Sequence, residues 1–311
     1  MHNIICIAGP TASGKTALAV ELAKCVNGEV VSCDSMQVYK RMDIGTAKPT
    51  AEEMQGIPHH MLDVAEPTED FSVSRYCEMA TPIVDDILSR GKTAIIAGGT
   101  GLYMDALIRV NSFAPYPSTG MREKLEAQAD AEGMEAMLKL LASIDPDSAQ
   151  RLHLADRKRI IRALEVYYET GETITAHNLK TQQIPPRYDA LWFGLEDENR
   201  QDLYDRIDSR VEKMLAAGLI EEIQALLDSG IPEKSTAMQA IGYKEFIDAL
   251  QGRCTMAEST AQVQQSSRHY AKRQLTWFRR NPAIHWLRRK QGETTDEILI
   301  RAQQISAEFD K

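Results

Sequence analysis

An α/β fold is expected, with a parallel sheet core into which a helical domain is inserted. Three observations predict it. The first hundred residues alternate short apolar strands with helices, the pattern that yields a parallel sheet covered by helices. The stretch "GPTASGKT", Gly9 to Thr16, fits G-x-x-x-x-G-K-[ST] and sits between a strand and a helix. From about residue 118 to 187 the strands stop and charged helical sequence takes over.

Taken in order, "NIICIAG" reads as a short buried strand and "TALAVELAKCV" as a helix with apolar residues at helical spacing. "EVVSCD" (29–34) and "TAIIAGG" (93–99) read as two further buried strands. Between them "SVSRYCEMATPIVDDILSRG" is a helix, with Ser72 as its N-cap and Gly91 as its stop. "MREKLEAQADAEGMEAMLKLLASID" and "DRKRIIRALEVYYETG" are helical with no strand between them, and "QQIPPRY" (182–188) is a linker. "ALWFGL" (190–195) resumes as a strand, followed by helices to the end of the chain. The expected division is a core of residues 1–117 and 188–311 and an inserted helical arm of residues 118–187.

With 311 residues and 43% apolar content, the chain can bury one large core or a core plus a smaller domain. No apolar run approaches the roughly 18 residues that a membrane span needs. The first residues enter a strand without a basic segment or cleavage site, which points to a cytoplasmic protein. The five scattered cysteines form no C-x-x-C pair, a usage that fits reduced thiols. No self-association segment stands out, so a monomer is expected. A net charge of −9 argues against indiscriminate coating of nucleic acid. Locally the balance reverses: Arg268 to Lys290 holds eight Lys/Arg and no carboxylate. Arg273, Arg279 and Arg280 lie there with Tyr270, Trp277, Phe278 and Trp286. Such a segment is either an RNA footprint, with phosphate contacts and stacking faces, or a solvated helix face with its aromatics in the core.

Ligands of a parallel sheet bind beyond the carboxyl ends of its strands, and three loops leave three strands there: Gly9–Thr16, Asp34–Tyr39 and Gly98–Tyr103. In the first, the N–H groups of Gly9, Pro10's neighbours Thr11, Ala12 and Ser13, and Gly14 surround a diphosphate, Lys15 reaches it, and the Thr16 hydroxyl faces Mg²⁺. No acid follows "TAIIAGG" to ligate that ion, so Thr16, diphosphate oxygens and water would hold it. In the second, Asp34 and Gln37 have the spacing of a capping box. Adjacent His59 and His60 do not converge on one ion, and no nearby cysteine supplies further ligands for zinc.

"GPTASGKT", "CDSMQVYKRMDIGTAKP" (33–49), "GIPHHMLD" (56–63) and "GGTGLY" (98–103) together closely resemble the tRNA dimethylallyltransferase (IPP transferase) family. "RALEVYYETG" (162–171), "DRIDSRVEKMLAAGLIEEI" (205–223), "QAIGYKE" (239–245) and "RHYAKRQLTWFR" (268–279) extend the resemblance over most of the chain. It implies a P-loop kinase-like core with a helical insertion. It also implies transfer of a dimethylallyl group from dimethylallyl diphosphate, with Mg²⁺, to N6 of the adenosine beside the anticodon of tRNA. Asp34 then matches the general base, and Thr100 sits beside the amine and helps to orient it. Ser35, Met36 and Gln37 match the tRNA-contacting stretch, and a Gln amide can pair with an adenine edge. Arg122, Lys158, Arg159, Ile160, Ile161 and Arg162 match arm positions that touch tRNA. Arg210, one turn after Arg206, would reach the diphosphate or the target nucleotide, or be surface. The rival readings are a nucleotide kinase or a prenyltransferase of free adenine nucleotides, and a P-loop RNA-binding module without turnover.

Overall fold

In the computed structural model, residues 4–109 and 119–309 are described. They fall into two compact units: Met1–Ile108 with Tyr188–Lys311, and Arg109–Arg187. The boundary expected at 117/118 lies outside the described residues.

The first unit is built on a six-stranded sheet in the order β3-β2-β4-β1-β5-β6. The strands are β1 (Ile4–Ala8), β2 (Gly28–Ser32), β3 (His59–His60), β4 (Thr93–Gly98), β5 (Ala190–Asp197) and β6 (Ile284–Arg289). Every pairing is parallel. Side chains alternate across a strand, and β1 divides accordingly. Ile4, Cys6 and Ala8 join a cluster with Tyr76, Tyr103 and Phe278. Ile5 and Ile7 join another with Leu18, Leu22 and Phe193. A central strand apolar on both faces is what a helix-covered parallel sheet requires. Each fully buried Ile, Leu or Phe among them is worth about 1.5–3 kcal/mol of transfer free energy.

The helix Val73–Ser89 starts where expected, with the Ser72 side chain accepting from Arg75 N. β6 departs from the sequence pattern, which predicts helices from residue 196 to the end of the chain. Its sequence IHWLRR is charged and only intermittently buried, because it pairs on one side alone, with β5. An edge strand need not show a buried strand's apolar run.

The second unit is helical. Gly133 adopts φ 82 and divides the first predicted arm helix into Met121–Glu132 and Met134–Ile144. With the helix Arg157–Thr170 these enclose a small core of Leu125, Met137, Leu141, Ile160, Ile161 and Leu164.

Candidate active site

The strand order sets β2, β4 and β1 side by side, so the three loops leaving their carboxyl ends meet. A cavity of about 820 Å³ opens there, lined by the phosphate loop, Asp34, Gln37, Gly98, Arg210 and Tyr270 among others.

The helix Lys15–Cys25 begins at Gly14 with no side-chain cap, leaving its first N–H groups to face the loop. A helix N-terminus with uncapped donors favours an anion. The Ser13 hydroxyl is buried, 3% exposed, and has no protein partner. Lys15 Nζ donates to Pro10 O at 2.6 Å. Burial brings its ammonium down to about 7; Arg210 adds to the drop and Asp34 opposes it. The loop is braced from the carboxyl-terminal half of the unit. Arg206 Nε donates to Ala12 O at 3.0 Å while its Nη2 pairs with Asp197 at 2.6 Å. Arg210 Nη1 reaches Thr11 Oγ1 at 3.4 Å. Arg206 therefore supports the loop backbone, and Arg210, expected at either a ligand or the surface, lines the cavity.

Asp34 follows β2, and its Oδ1 accepts from Met36 N at 2.8 Å and Gln37 N at 3.4 Å. This closes a turn, since residues 35–38 do not continue into a helix. Nor does Gln37 complete a capping box. Its Nε2 donates to Thr46 O and Ala47 O at 3.2 and 3.0 Å, and its Oε1 accepts from Ser32 Oγ at 3.0 Å. Its amide is thus engaged by the protein, and pairing with an adenine edge would first have to release residues 46 and 47. Thr100 Oγ1 accepts from Ser35 N at 3.1 Å, which ties the loop after β4 to the loop after β2. The Tyr270 hydroxyl lies within hydrogen-bond reach of Thr100, and burial pushes that phenol up to about 12.

Two residues central to this geometry were not anticipated. Gln274 is 5% exposed; its Oε1 accepts from Thr11 N at 2.9 Å and its Nε2 donates to Gly99 O at 3.0 Å. One amide joins the phosphate loop to the loop carrying Thr100. A Cβ at Gly99 would stand 2.0 Å from Gln274 Nε2, so any other residue there would displace the bridging amide. The available signal was spacing: Ala271, Gln274 and Phe278 mark one buried helix face, and a polar residue on it needs partners. The other is Arg289, at the end of β6. It packs against Gly14, and its Nε is buried without a protein partner.

The basic segment divides. Phe278 is core, and Trp277 is partly buried with its Nε1 donating to Asp105 Oδ2 at 2.8 Å. Lys272, Arg273, Arg279 and Arg280 are exposed. Arg279 pairs with Glu196, whereas Arg273 and Arg280 lie over the rings of Tyr270 and Trp277 at 5.6 and 5.4 Å. Within the arm unit Lys158 and Arg159 are exposed, and Arg122 and Arg162 share Glu165 at 2.8 and 2.7 Å. Within the stretch expected to touch tRNA, the Ile160 and Ile161 side chains are 0% and 1% exposed and belong to the arm core, on the helix that presents Lys158 and Arg159. Among the described residues no group of three or more His, Cys, Asp or Glu is arranged to hold a metal ion, and no helix is long and apolar enough to cross a membrane.

The chain resembles proteins of one kind. The model of the IPP transferase family matches residues 37–281. A tRNA dimethylallyltransferase of Acetivibrio thermocellus is 43% identical over 99% of both chains. The crystal structure of a tRNA isopentenylpyrophosphate transferase of Bacillus halodurans is 40% identical, with a TM-score of 0.75 over 100% of this chain and 97% of that one. A eukaryotic dimethylallyltransferase acting on tRNA is 30% identical, with a TM-score of 0.84 over 98% of this chain and 79% of its own. The loops that meet at the cavity and this likeness along the whole length agree: the chain belongs to the IPP transferase family.

Proposed function

We propose that the chain transfers a dimethylallyl group from dimethylallyl diphosphate to N6 of the adenosine 3′ to the anticodon in tRNA, releasing diphosphate. The observation that carries this reading is the coupling of a carboxylate loop to a phosphate loop in one cavity. Asp34 and Lys15 line it together, and Thr100 is bonded to the residue after Asp34. A phosphate-binding module without turnover has no need of a carboxylate held at that point.

An exocyclic adenine amine is a poor nucleophile, because its lone pair is delocalised into the ring. In the proposed step the N6 lone pair bonds to the allylic carbon, and the C–O bond breaks with its electrons going to the diphosphate. The N6 proton passes to Asp34. Oδ1 of Asp34 is already an acceptor for two backbone N–H groups, which leaves Oδ2 for the amine. General base help of this kind contributes about 10²–10⁴-fold. Lys15, the uncapped helix N-terminus and the unpartnered Ser13 hydroxyl meet the charge that develops on the leaving group. Mg²⁺ would be held by Thr16, which lines the cavity, together with diphosphate oxygens, and would supply neutralisation of the leaving-group charge. The exposed cations Lys158, Arg159, Lys272, Arg273 and Arg280 are suited to RNA phosphates.

The test is incubation with radiolabelled dimethylallyl diphosphate and either bulk tRNA or AMP. Label on tRNA is expected. Label on AMP alone would make the acceptor a free nucleotide, and transfer of phosphate from ATP would make the chain a kinase.

A further inference from the structure

One wall of the cavity is the segment Asp43–Thr50, and the chain invests an unusual number of hydrogen bonds in holding it. The Glu222 carboxylate accepts four. Oε2 takes Asp43 N and Ile44 N, both at 2.8 Å. Oε1 takes Gly45 N at 3.1 Å and the Tyr243 hydroxyl at 2.6 Å. Two oxygens have about four acceptor sites, so this carboxylate is saturated. Three successive backbone N–H groups turned to one anion form a nest, filled here by the protein's own side chain.

Both anchors sit on rigid ground. Glu222 lies in the first turn of the helix Leu219–Asp228, whose Leu219, Ile223 and Leu226 are core. Tyr243 is fully buried, and burial together with the Glu222 carboxylate holds its phenol far above the ordinary value, so it remains a donor. Gly45 lies so close to the Tyr243 ring that a Cβ there would be 2.4 Å from it. Further along the segment Gln37 holds Thr46 O and Ala47 O, and Lys48, its side chain 6% exposed, binds Tyr39 O at 2.9 Å and Asp63 at 2.6 Å. The segment is therefore clamped between Glu222 and a residue three positions from Asp34.

What the clamped wall offers the cavity is partly apolar. Ile44 lines it alongside Met214 and Ala217, which follow Arg210 by one and two helical turns, Arg210 being the residue whose guanidinium reaches Thr11 of the phosphate loop. We infer that Glu222 and Tyr243 are positioning residues that fix this wall against the hydrocarbon tail of the donor, and so set donor affinity and tail length. The inference rests on the donor reading above. It makes no claim on the phosphate loop, which neither residue touches.

That separation supplies the test. Tyr243→Phe removes one of four donors and keeps the ring against Gly45; Glu222→Gln replaces one acceptor oxygen by an NH₂ group, which donates and cannot accept. Titration calorimetry of each variant with dimethylallyl diphosphate and with inorganic diphosphate reads the tail and the loop separately. The expected result is a loss of about tenfold in affinity for dimethylallyl diphosphate, the scale of a misfitted methylene, with inorganic diphosphate unchanged. The preference for the five-carbon over the ten-carbon donor should shrink in parallel. If Tyr243→Phe lowers both affinities together, or neither, while the melting temperature falls, the pair is structural only and the inference is overturned. Wild-type protein that binds inorganic diphosphate but gains nothing from the tail would overturn the donor reading itself.

Discussion

Binding of dimethylallyl diphosphate at pH 8 should draw a proton onto Lys15. Burial, helped by Arg210, holds this ammonium at about 7 against an ordinary 10.5. At pH 8 only about one Lys15 in eleven then carries its charge before the donor arrives. A diphosphate against Nζ favours the charged form and returns the lysine toward its ordinary value. The difference is an uptake of about 0.9 proton per site at pH 8, falling to about 0.1 near pH 6. The donor phosphates are fully ionised at pH 8, so they contribute no compensating release. Between about 7 and 10.5 the unfolded chain holds a proton that the folded, donor-free chain lacks. Lys15 burial therefore opposes folding in full below pH 7, and the opposition fades as pH rises through that window. Donor affinity moves the other way, weakening by up to about tenfold per unit above pH 8. Calorimetry at pH 8 in buffers of different ionisation enthalpy measures the uptake as the slope of observed enthalpy. A slope near zero, or the same slope in Lys15→Met, would refute the reasoning.

Three further outcomes are expected. Asp34→Asn keeps an oxygen for Met36 N and should leave the melting temperature nearly unchanged, while single-turnover transfer to saturating tRNA falls about 10²–10⁴-fold; near-normal turnover would remove Asp34 as the base. Gln274→Leu leaves Thr11 N and Gly99 O unpaired in a buried place and should cost about 1–3 kcal/mol per orphaned group in urea unfolding, so an unchanged midpoint would contradict the bridge. Arg280→Ala should lower the slope of log affinity for tRNA against log salt by about one unit, with a smaller change for Arg279→Ala because Arg279 is already paired with Glu196. Equal slopes in both variants and wild type would make the segment ordinary surface.

The parts of the site legible in the sequence are those whose physics is local. The strand–loop–helix setting of Gly9 to Thr16 needs no tertiary information to be read, and the chain has it, with β1 before the loop and the helix Lys15–Cys25 after it. Asp34 was legible as a cap but not as to what it caps, because a turn and a helix begin with the same side-chain-to-backbone bonds; only the path of residues 35–38 decides. The basic segment was legible as charge, yet its aromatics split between core and cavity according to a helix phase that composition does not carry. Ile160 and Ile161 illustrate the same limit, since a stretch can present cations to solvent and isoleucines to the core within five residues.

What escaped is everything that acts across the chain. Gln274 binds residues 263 and 175 positions away, and Glu222 binds Asp43 179 positions away. Glu222 shows why local rules cannot find such a residue. It stands beside Glu221 in the first turn of one helix, where either carboxylate complements the helix dipole equally well. The dipole argument is satisfied twice and distinguishes nothing. Only the approach of Asp43, Ile44 and Gly45, carried there by β2 and its following loop, turns one of two equivalent acids into an anchor. In this fold the sheet brings the reactive loops to one edge, and long-range side chains on the surrounding helices hold them at working distance.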